Sequence, residues 1–133
     1  MKNFLSIIFL VSSCYVLNAQ NGYQKFYYPN GRVSSEGTFV SGKPDGIWKS
    51  YYENGIIKSE GTRNNTILDG TWKFYDDKGK ITSEHNYVNG VREGIQKDYY
   101  KNGNTASEIW MHNGIIDSVA RYFNEEGDRK SVV

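Results

Sequence analysis

Gly46-Ile-Trp-Lys-Ser-Tyr-Tyr-Glu-Asn-Gly55 decides the fold, because close copies of this stretch recur with a period of 24 residues. All 14 glycines of the chain fall on only four positions of that frame, so glycine meets a recurring backbone need. The frame predicts complete copies 22–45, 46–69, 70–93 and 94–117, followed by a partial copy 118–133. The other three complete copies begin Gly22-Tyr-Gln-Lys-Phe-Tyr-Tyr-Pro-Asn-Gly31, Gly70-Thr-Trp-Lys-Phe-Tyr-Asp-Asp-Lys-Gly79 and Gly94-Ile-Gln-Lys-Asp-Tyr-Tyr-Lys-Asn-Gly103.

Each copy is predicted to be a β-hairpin. The Asn-Gly dipeptides at positions 30–31, 54–55 and 102–103 are typical of two-residue type I′ turns. Counting outward from such a turn places Trp48 opposite Gly61, where the indole can lie over bare backbone. The same count predicts the cross-strand pairs Lys25–Glu36, Lys49–Glu60, Lys73–Glu84, Lys97–Glu108, Tyr28–Val33 and Tyr52–Ile57.

The segments between hairpins, such as residues 41–46, are predicted to be longer loops that join neighbouring hairpins in one sheet. After residue 19 the only leucine is Leu68 and the only alanines are Ala106 and Ala120, so amphipathic helices are excluded. Tyr, Trp, Phe, Ile, Val and Thr predominate instead. The sequence therefore predicts an all-β fold, an elongated antiparallel β-meander of nine or ten strands.

Length and charge restrict the function. The chain has 133 residues, enough for one domain, and its formal net charge is only +1. A nucleic-acid-binding protein would carry a basic excess, so we expect no nucleic-acid partner. One cysteine excludes a disulfide framework.

Residues 1–19 have the features of a secretory signal peptide, which leaves residues 20–133 as the repeat domain. Cleavage after Ala19 fits an ordinary signal peptidase, whereas Val11-Ser-Ser-Cys14 resembles a lipobox that would place a lipid on Cys14. An uncut membrane anchor is the third interpretation. We expect the protein to be exported to the periplasm, the outer membrane or the exterior.

The pattern Gly-x-Trp-Lys-x-Tyr-Tyr-x-Asn-Gly, followed by Ile-x-Ser-Glu-Gly and Asn-Gly-x-x-Asp-Gly, resembles the bacterial variant of the MORN repeat. The resemblance covers about residues 22–127 and is best in 46–70. It implies stacked β-hairpins that bind protein partners, or lipid in some proposals, and no shared catalytic centre. Many relatives are labelled as antitoxins, and neutralisation of a partner is an alternative that fits poorly with export.

Catalytic and metal sites are not predicted. His85 and His112 have no cysteine or phased acid beside them, and the serine of each copy has no phased histidine. The phased glutamates face lysines, which favours structural ion pairs over paired catalytic acids. A weak acidic cluster of Asp69, Asp76 and Asp77 leaves calcium as a minor alternative. We therefore expect a non-enzymatic protein with no cofactor.

The aromatic residues that recur in each copy, the aromatic ladder, are the feature that best indicates a function. Tyr27 and its counterparts are predicted to share one face with the lysines, and Tyr28 and its counterparts the other face with the tryptophans. The ladder is interpreted as a core that a thin sheet needs, as a docking face for protein, or as a glycan-stacking surface. End strands leave room for self-association. The predicted binding residues are Trp48, Lys49, Tyr51, Tyr52, Trp72, Lys73, Tyr75, Lys97, Tyr99 and Tyr100.

Overall fold

The computed structural model describes residues 21–132 as one antiparallel sheet of eleven strands. The predicted signal peptide and Cys14 lie outside the described residues. The strands are β1 (Gly22–Tyr27), β2 (Val33–Val40), β3 (Lys43–Tyr51), β4 (Ile57–Asn64), β5 (Ile67–Tyr75), β6 (Ile81–Val88), β7 (Val91–Arg92), β8 (Gly94–Tyr99), β9 (Thr105–His112), β10 (Ile115–Phe123) and β11 (Arg129–Val132).

The predicted meander of consecutive hairpins is confirmed. The sheet order is β1-β2-β3-β4-β5-β6-β8-β9-β10-β11, and the short β7 also pairs with β6. Strand β7 and strand β8 together correspond to the unbroken β3, β5 and β10 of the other copies. Glu93 interrupts the strand between them, which accounts for one strand more than the sequence predicts.

The Asn-Gly loops differ from the predicted two-residue type I′ turns. Tyr28 and Arg32 close a three-residue loop, because the amide of Tyr28 donates to the carbonyl of Arg32 at 2.8 Å. Within it, the amide of Gly31 donates to the carbonyl of Tyr28 at 2.9 Å, and only Gly31 has positive φ. This is a type I turn closed by a glycine in the left-handed region. The loops at Tyr52–Ile56 and Tyr100–Asn104 repeat the same two bonds.

The three-residue loop corrects two predicted pairs. Val33 lies opposite Tyr27, not Tyr28, and Ile57 lies opposite Tyr51, not Tyr52. One residue of the returning strand then bulges out, so that Phe26 pairs with residue 35. The bulge restores the register, and all four predicted Lys–Glu pairs stand opposite each other.

The type I′ turns lie at the other ends of the strands, on the side of the sheet away from the Asn-Gly loops, where longer loops were predicted. We call this side the type I′ turn edge. Both residues of each turn have positive φ: Ser41-Gly42, Asn65-Thr66, Asn89-Gly90 and Asn113-Gly114. The sequence signal was misleading because a bulge follows each turn. In β3, Gly46 and Ile47 have no partner in β2, and these extra residues lengthen the segment that resembled a loop.

Thr66 is the one β-branched residue in these turns, and we predict that Thr66→Gly stabilises the protein. Its φ of 84° places Cβ in a strained position that glycine avoids. The expected gain is about 1 kcal/mol, measured as the free energy of unfolding in urea.

Gly114→Thr is the reciprocal control, since Gly114 occupies the same turn position with φ of 76°. It should lower stability. A Thr66→Gly variant no more stable than the natural chain would contradict the strain assignment.

Candidate functional site

The first face of the sheet, the tryptophan face, is built on two indole rings that cover glycine backbones. A Cβ added to Gly37 would lie 2.4 Å from the ring of Trp48, and one added to Gly61 would lie 2.4 Å from that of Trp72. Trp48 does stand opposite Gly61 in register, as predicted, but its ring covers Gly37 on the other neighbouring strand. Each indole therefore ties one hairpin to the hairpin before it.

Hydrogen bonds fix the two rings in place. Nε1 of Trp48 donates to the carbonyl of Thr38 at 3.2 Å, and Nε1 of Trp72 donates to that of Thr62 at 2.9 Å. The side chains are only 9% and 5% exposed. Because a sugar ring needs an open indole face to stack on, this burial argues against glycan binding at these tryptophans.

The outer sides of the rings are covered by a side chain that differs between copies. Phe39 packs edge-on against Trp48, with ring centroids 5.2 Å apart. The guanidinium of Arg63, at the corresponding position of the next copy, lies 5.3 Å from the centre of the Trp72 ring. Arg63 therefore brings a charge to the tryptophan face at a position where the first copy has an apolar ring.

Later copies replace the tryptophan and the glycine together. Gln96 takes the tryptophan position opposite His85, and its Nε2 donates to the carbonyl of Asn86 at 3.1 Å, as the indole does in earlier copies. Ala120 pairs with Ile109 in the last junction and is 1% exposed. The pair of tryptophan and glycine in the earlier copies is thus replaced first by two residues of intermediate size, Gln96 and His85. In the last junction it is replaced by the small Ala120 beside the larger Ile109. The combined volume of the pair is what the sheet preserves.

A cavity of about 390 Å³ opens on the tryptophan face over the second copy, and its lining extends to Ser35 and Pro44 of the first copy and to Trp72 of the third. Its floor contains a row of short side chains, and the hydroxyls of Ser50 and Ser59 are hydrogen-bonded at 2.6 Å. The row consists of Ser35, Ser50 and Ser59. It ends in larger side chains, because Phe26 pairs with Ser35 and Phe74 pairs with Ser59. We call this depression the serine groove; its lining is Ser35, Pro44, Trp48, Lys49, Ser50, Ser59, Arg63 and Trp72.

The opposite face of the sheet, the lysine face, holds the predicted lysine and tyrosine ladder. Lys25 contacts Glu36 at 3.2 Å, and Tyr51 donates to the other oxygen of that carboxylate at 2.5 Å. The next copy repeats the arrangement, with Tyr75 donating to Glu60 at 2.8 Å. The remaining ion pairs of this ladder are Lys49–Glu60 at 3.9 Å, Lys97–Glu108 at 3.2 Å and Arg121–Glu108 at 3.6 Å.

These contacts shift the pKa values of the ladder. The hydrogen bond from Tyr51 lowers the pKa of Glu36 below its ordinary value. Burial, helped by the bond to Glu60, raises the pKa of Tyr75 to about 12, and burial also raises the pKa values of Tyr51 and Tyr99. The face therefore carries compensated charges at neutral pH, with its tyrosines held as donors.

Tyr52 and Tyr100 lie at the hairpin loops and link successive copies. The hydroxyl of Tyr52 donates to the carbonyl of Tyr75 at 2.8 Å, and that of Tyr100 donates to the carbonyl of Phe123 at 2.8 Å. Asn54 in the same loop donates to the carbonyl of Asp77 at 2.8 Å. The structure gives these two predicted binding residues a contact that supports the stacking of the loops.

Sequence reasoning missed a row of exposed aliphatic side chains along the type I′ turn edge. Ile47 is 66% exposed because it occupies the bulge, and Ile115 is 72% exposed. Their signal was a β-branched residue on at least one side of each turn, in segments that were interpreted as loops. The row comprises Val40, Ile47, Ile67, Val88, Val91, Ile115 and Ile116.

The polar groups considered for chemistry are engaged in local contacts. Asp98 lies between His85 and Ser107, accepting from the hydroxyl at 3.0 Å and contacting the imidazole at 3.2 Å, so the carboxylate separates nucleophile from base. Asp76 accepts two backbone amides of its own loop, at the opposite end of β5 from Asp69. Among residues 21–132, no group of three or more His, Cys, Asp or Glu could hold a metal ion. Nor does that part of the chain contain a helix that could span a membrane.

Fold and surface together define a β-hairpin repeat protein in which side chains of each copy contact the neighbouring copy and hold the two together. The family model described as MORN repeat variant matches residues 20–41, 44–65, 68–89 and 92–109, which is more than half of the chain. The chain belongs to this family, whose members are typically non-catalytic. No curated protein matches the sequence.

Proposed function

We propose that the chain is a non-catalytic repeat scaffold that binds a protein partner through its tryptophan face. The observation that carries this proposal is the serine groove, the cavity of about 390 Å³ that opens on this face. Among the described residues, only Trp48, Trp72 and Ala120 are buried apolar side chains, whereas eleven large hydrophobic ones are exposed, seven of them in the row along the type I′ turns. Exposed apolar surface of this extent indicates an interaction protein, and the groove indicates which face the partner occupies.

The two faces offer different surfaces to a partner. On the lysine face Glu36, Glu60 and Glu108 already accept from a lysine or a tyrosine, so a partner would have to displace existing contacts. The tryptophan face has the serine groove, with apolar walls and hydroxyls at its floor. Repeats of this family are generally protein or membrane interaction modules. The groove is the more suitable docking surface for an extended protein segment.

Export is part of the proposal and rests on the character of residues 1–19. A mature chain that begins at Gln20, or at a lipid-modified Cys14, agrees with it. Intact-mass analysis that finds Met1 retained would contradict it.

Affinity capture from envelope extract tests the docking surface with two variants on opposite faces of the sheet. Ser50→Tyr fills the serine groove, while Lys73→Tyr adds the same side chain to the lysine face, outside the groove. We expect the natural chain and Lys73→Tyr to retain one stoichiometric protein partner, and Ser50→Tyr to lose it. Circular dichroism checks that both variants stay folded. Retention by Ser50→Tyr, or vesicle or glycan binding in place of a protein, would show the proposal to be wrong.

A further inference from the structure

The serine groove contains a cation whose charge is not matched by a neighbouring carboxylate. Arg63 lines the groove, and none of the ion pairs among the described side chains, taken at 4.0 Å or less, involves its guanidinium. On the lysine face three of the four ladder lysines, Lys25, Lys49 and Lys97, have a glutamate partner. Among residues 21–132 Lys73 has none at this distance, but it lies outside the serine groove. The charge of Arg63 is therefore available to a ligand that enters the groove.

The guanidinium is held in position before any ligand arrives. Its Nη1 donates to the carbonyl of Thr66 at 2.7 Å, and its Cζ lies 5.3 Å from the centre of the Trp72 ring. A guanidinium has five N–H donors, so most of them remain for another acceptor. Fixing the side chain in this way lowers the entropy that binding must otherwise remove.

The other polar groups of the groove are consistent with an acceptor ligand. The indole N–H groups of Trp48 and Trp72 are used by backbone carbonyls, and the ammonium of Lys49 is paired with Glu60 on the lysine face. Serine hydroxyls and Arg63 are therefore the donors left to the groove. The walls are aromatic, and the volume of about 390 Å³ lies in the range of small-ligand pockets. One fixed guanidinium beside neutral hydroxyls suits a single carboxylate better than a multiply charged phosphate.

We propose that the serine groove binds an Asp or Glu side chain of an extended partner segment, with the carboxylate paired to Arg63. The inference rests on the proposed function and names the chemistry that the partner must present. The segment lies across the strands, and the phenylalanines at positions 26 and 74 limit the groove to about 19 Å, four strand spacings. An arginine and a tryptophan meet on this face only at the junction of the second and third copies, so we expect one such site among the described residues.

The test uses the folded chain and three probes: an acetylated and amidated pentapeptide Ser-Tyr-Glu-Tyr-Ser, its Gln analogue, and inorganic phosphate. Binding is followed by the indole N–H resonances of Trp48 and Trp72 in nitrogen–proton spectra. We expect the Glu peptide to bind about tenfold more tightly than the Gln peptide, the effect of one hydrogen bond to a charged group. Arg63→Gln should abolish that preference and Arg63→Lys should keep part of it. Arg32→Gln, a change at an exposed loop arginine, should leave it intact.

Equal binding of the two peptides, or saturation by phosphate as tight as by the Glu peptide, would overturn the assignment. So would resonance changes confined to the lysine face. Partner capture by the natural chain does not depend on this result, so loss of the carboxylate preference with capture retained would place the failure in the ligand chemistry alone. Failure of both would place it in the docking surface.

Discussion

Adding one methyl group at Gly61 is expected to destabilise the fold by about 3 kcal/mol, because the new Cβ would meet the buried Trp72 ring. The atoms would be 2.4 Å apart, and neither the backbone nor a ring tied to Thr62 can move without loss elsewhere. Urea unfolding of Gly61→Ala measures the effect. Gly103→Ala is the matched control, since nothing lies within 4 Å of that Cβ and only its positive φ is disturbed.

A double substitution tests whether positions 61 and 72 share one side-chain volume or contribute to stability independently. The pair Gly61→Ile with Trp72→Ala reproduces the Ile109 and Ala120 pair that the last junction already uses. Trp72→Ala alone should cost about 4 kcal/mol. We expect the double variant to be at least about 2 kcal/mol more stable than the sum of the two single losses. Additive losses would show that the two positions do not share one volume.

Stability is expected to fall as the pH rises above 10, because folded Tyr51 and Tyr75 hold their protons more tightly than the unfolded chain does. For Tyr75 the pKa rises from 10.0 to about 12, so its contribution is complete below pH 10 and is lost as the pH approaches 12. The sign follows from linkage: above pH 10 the unfolded state binds fewer protons than the folded state. Urea unfolding across this range, with phenolate absorbance as the titration signal, measures the loss.

Tyr75→Phe should flatten the alkaline dependence, at the cost of the donor that Glu60 has at neutral pH. Tyr122→Phe is a control, because Tyr122 is exposed on the tryptophan face. An unchanged alkaline slope in Tyr75→Phe would contradict the assignment of the alkaline loss of stability to Tyr75.

The period of the sequence was sufficient to predict the meander and the Lys–Glu register, because a repeat specifies the same strand pairing in every copy. The loop types were not predictable from dipeptides. Asn30-Gly31 fits a type I′ turn and the three-residue loop equally well, and only the bond from Tyr28 to Arg32 selects the second. The register survived this error because the bulge after Val33 shifts the strand back by one residue.

The candidate site was predictable only in part. Alternation along a strand separates Trp48 from Lys49, so the division into two faces follows from the sequence. The burial of Trp48 and Trp72 does not, because it depends on which neighbouring strand the ring covers. The role of Arg63 was hidden for a related reason: its contact with Trp72 joins β4 to β5 across a turn whose type had been misread.

Site-specific photo-crosslinking in cells that produce the protein tests the central claim, that the tryptophan face docks a protein. A benzophenone amino acid is placed at Ser35 in the serine groove, or at Lys73, which is exposed on the lysine face. We predict a crosslink to one protein from position 35 and none from position 73. A crosslink from position 73 alone, or crosslinks to lipid only, would contradict the claim.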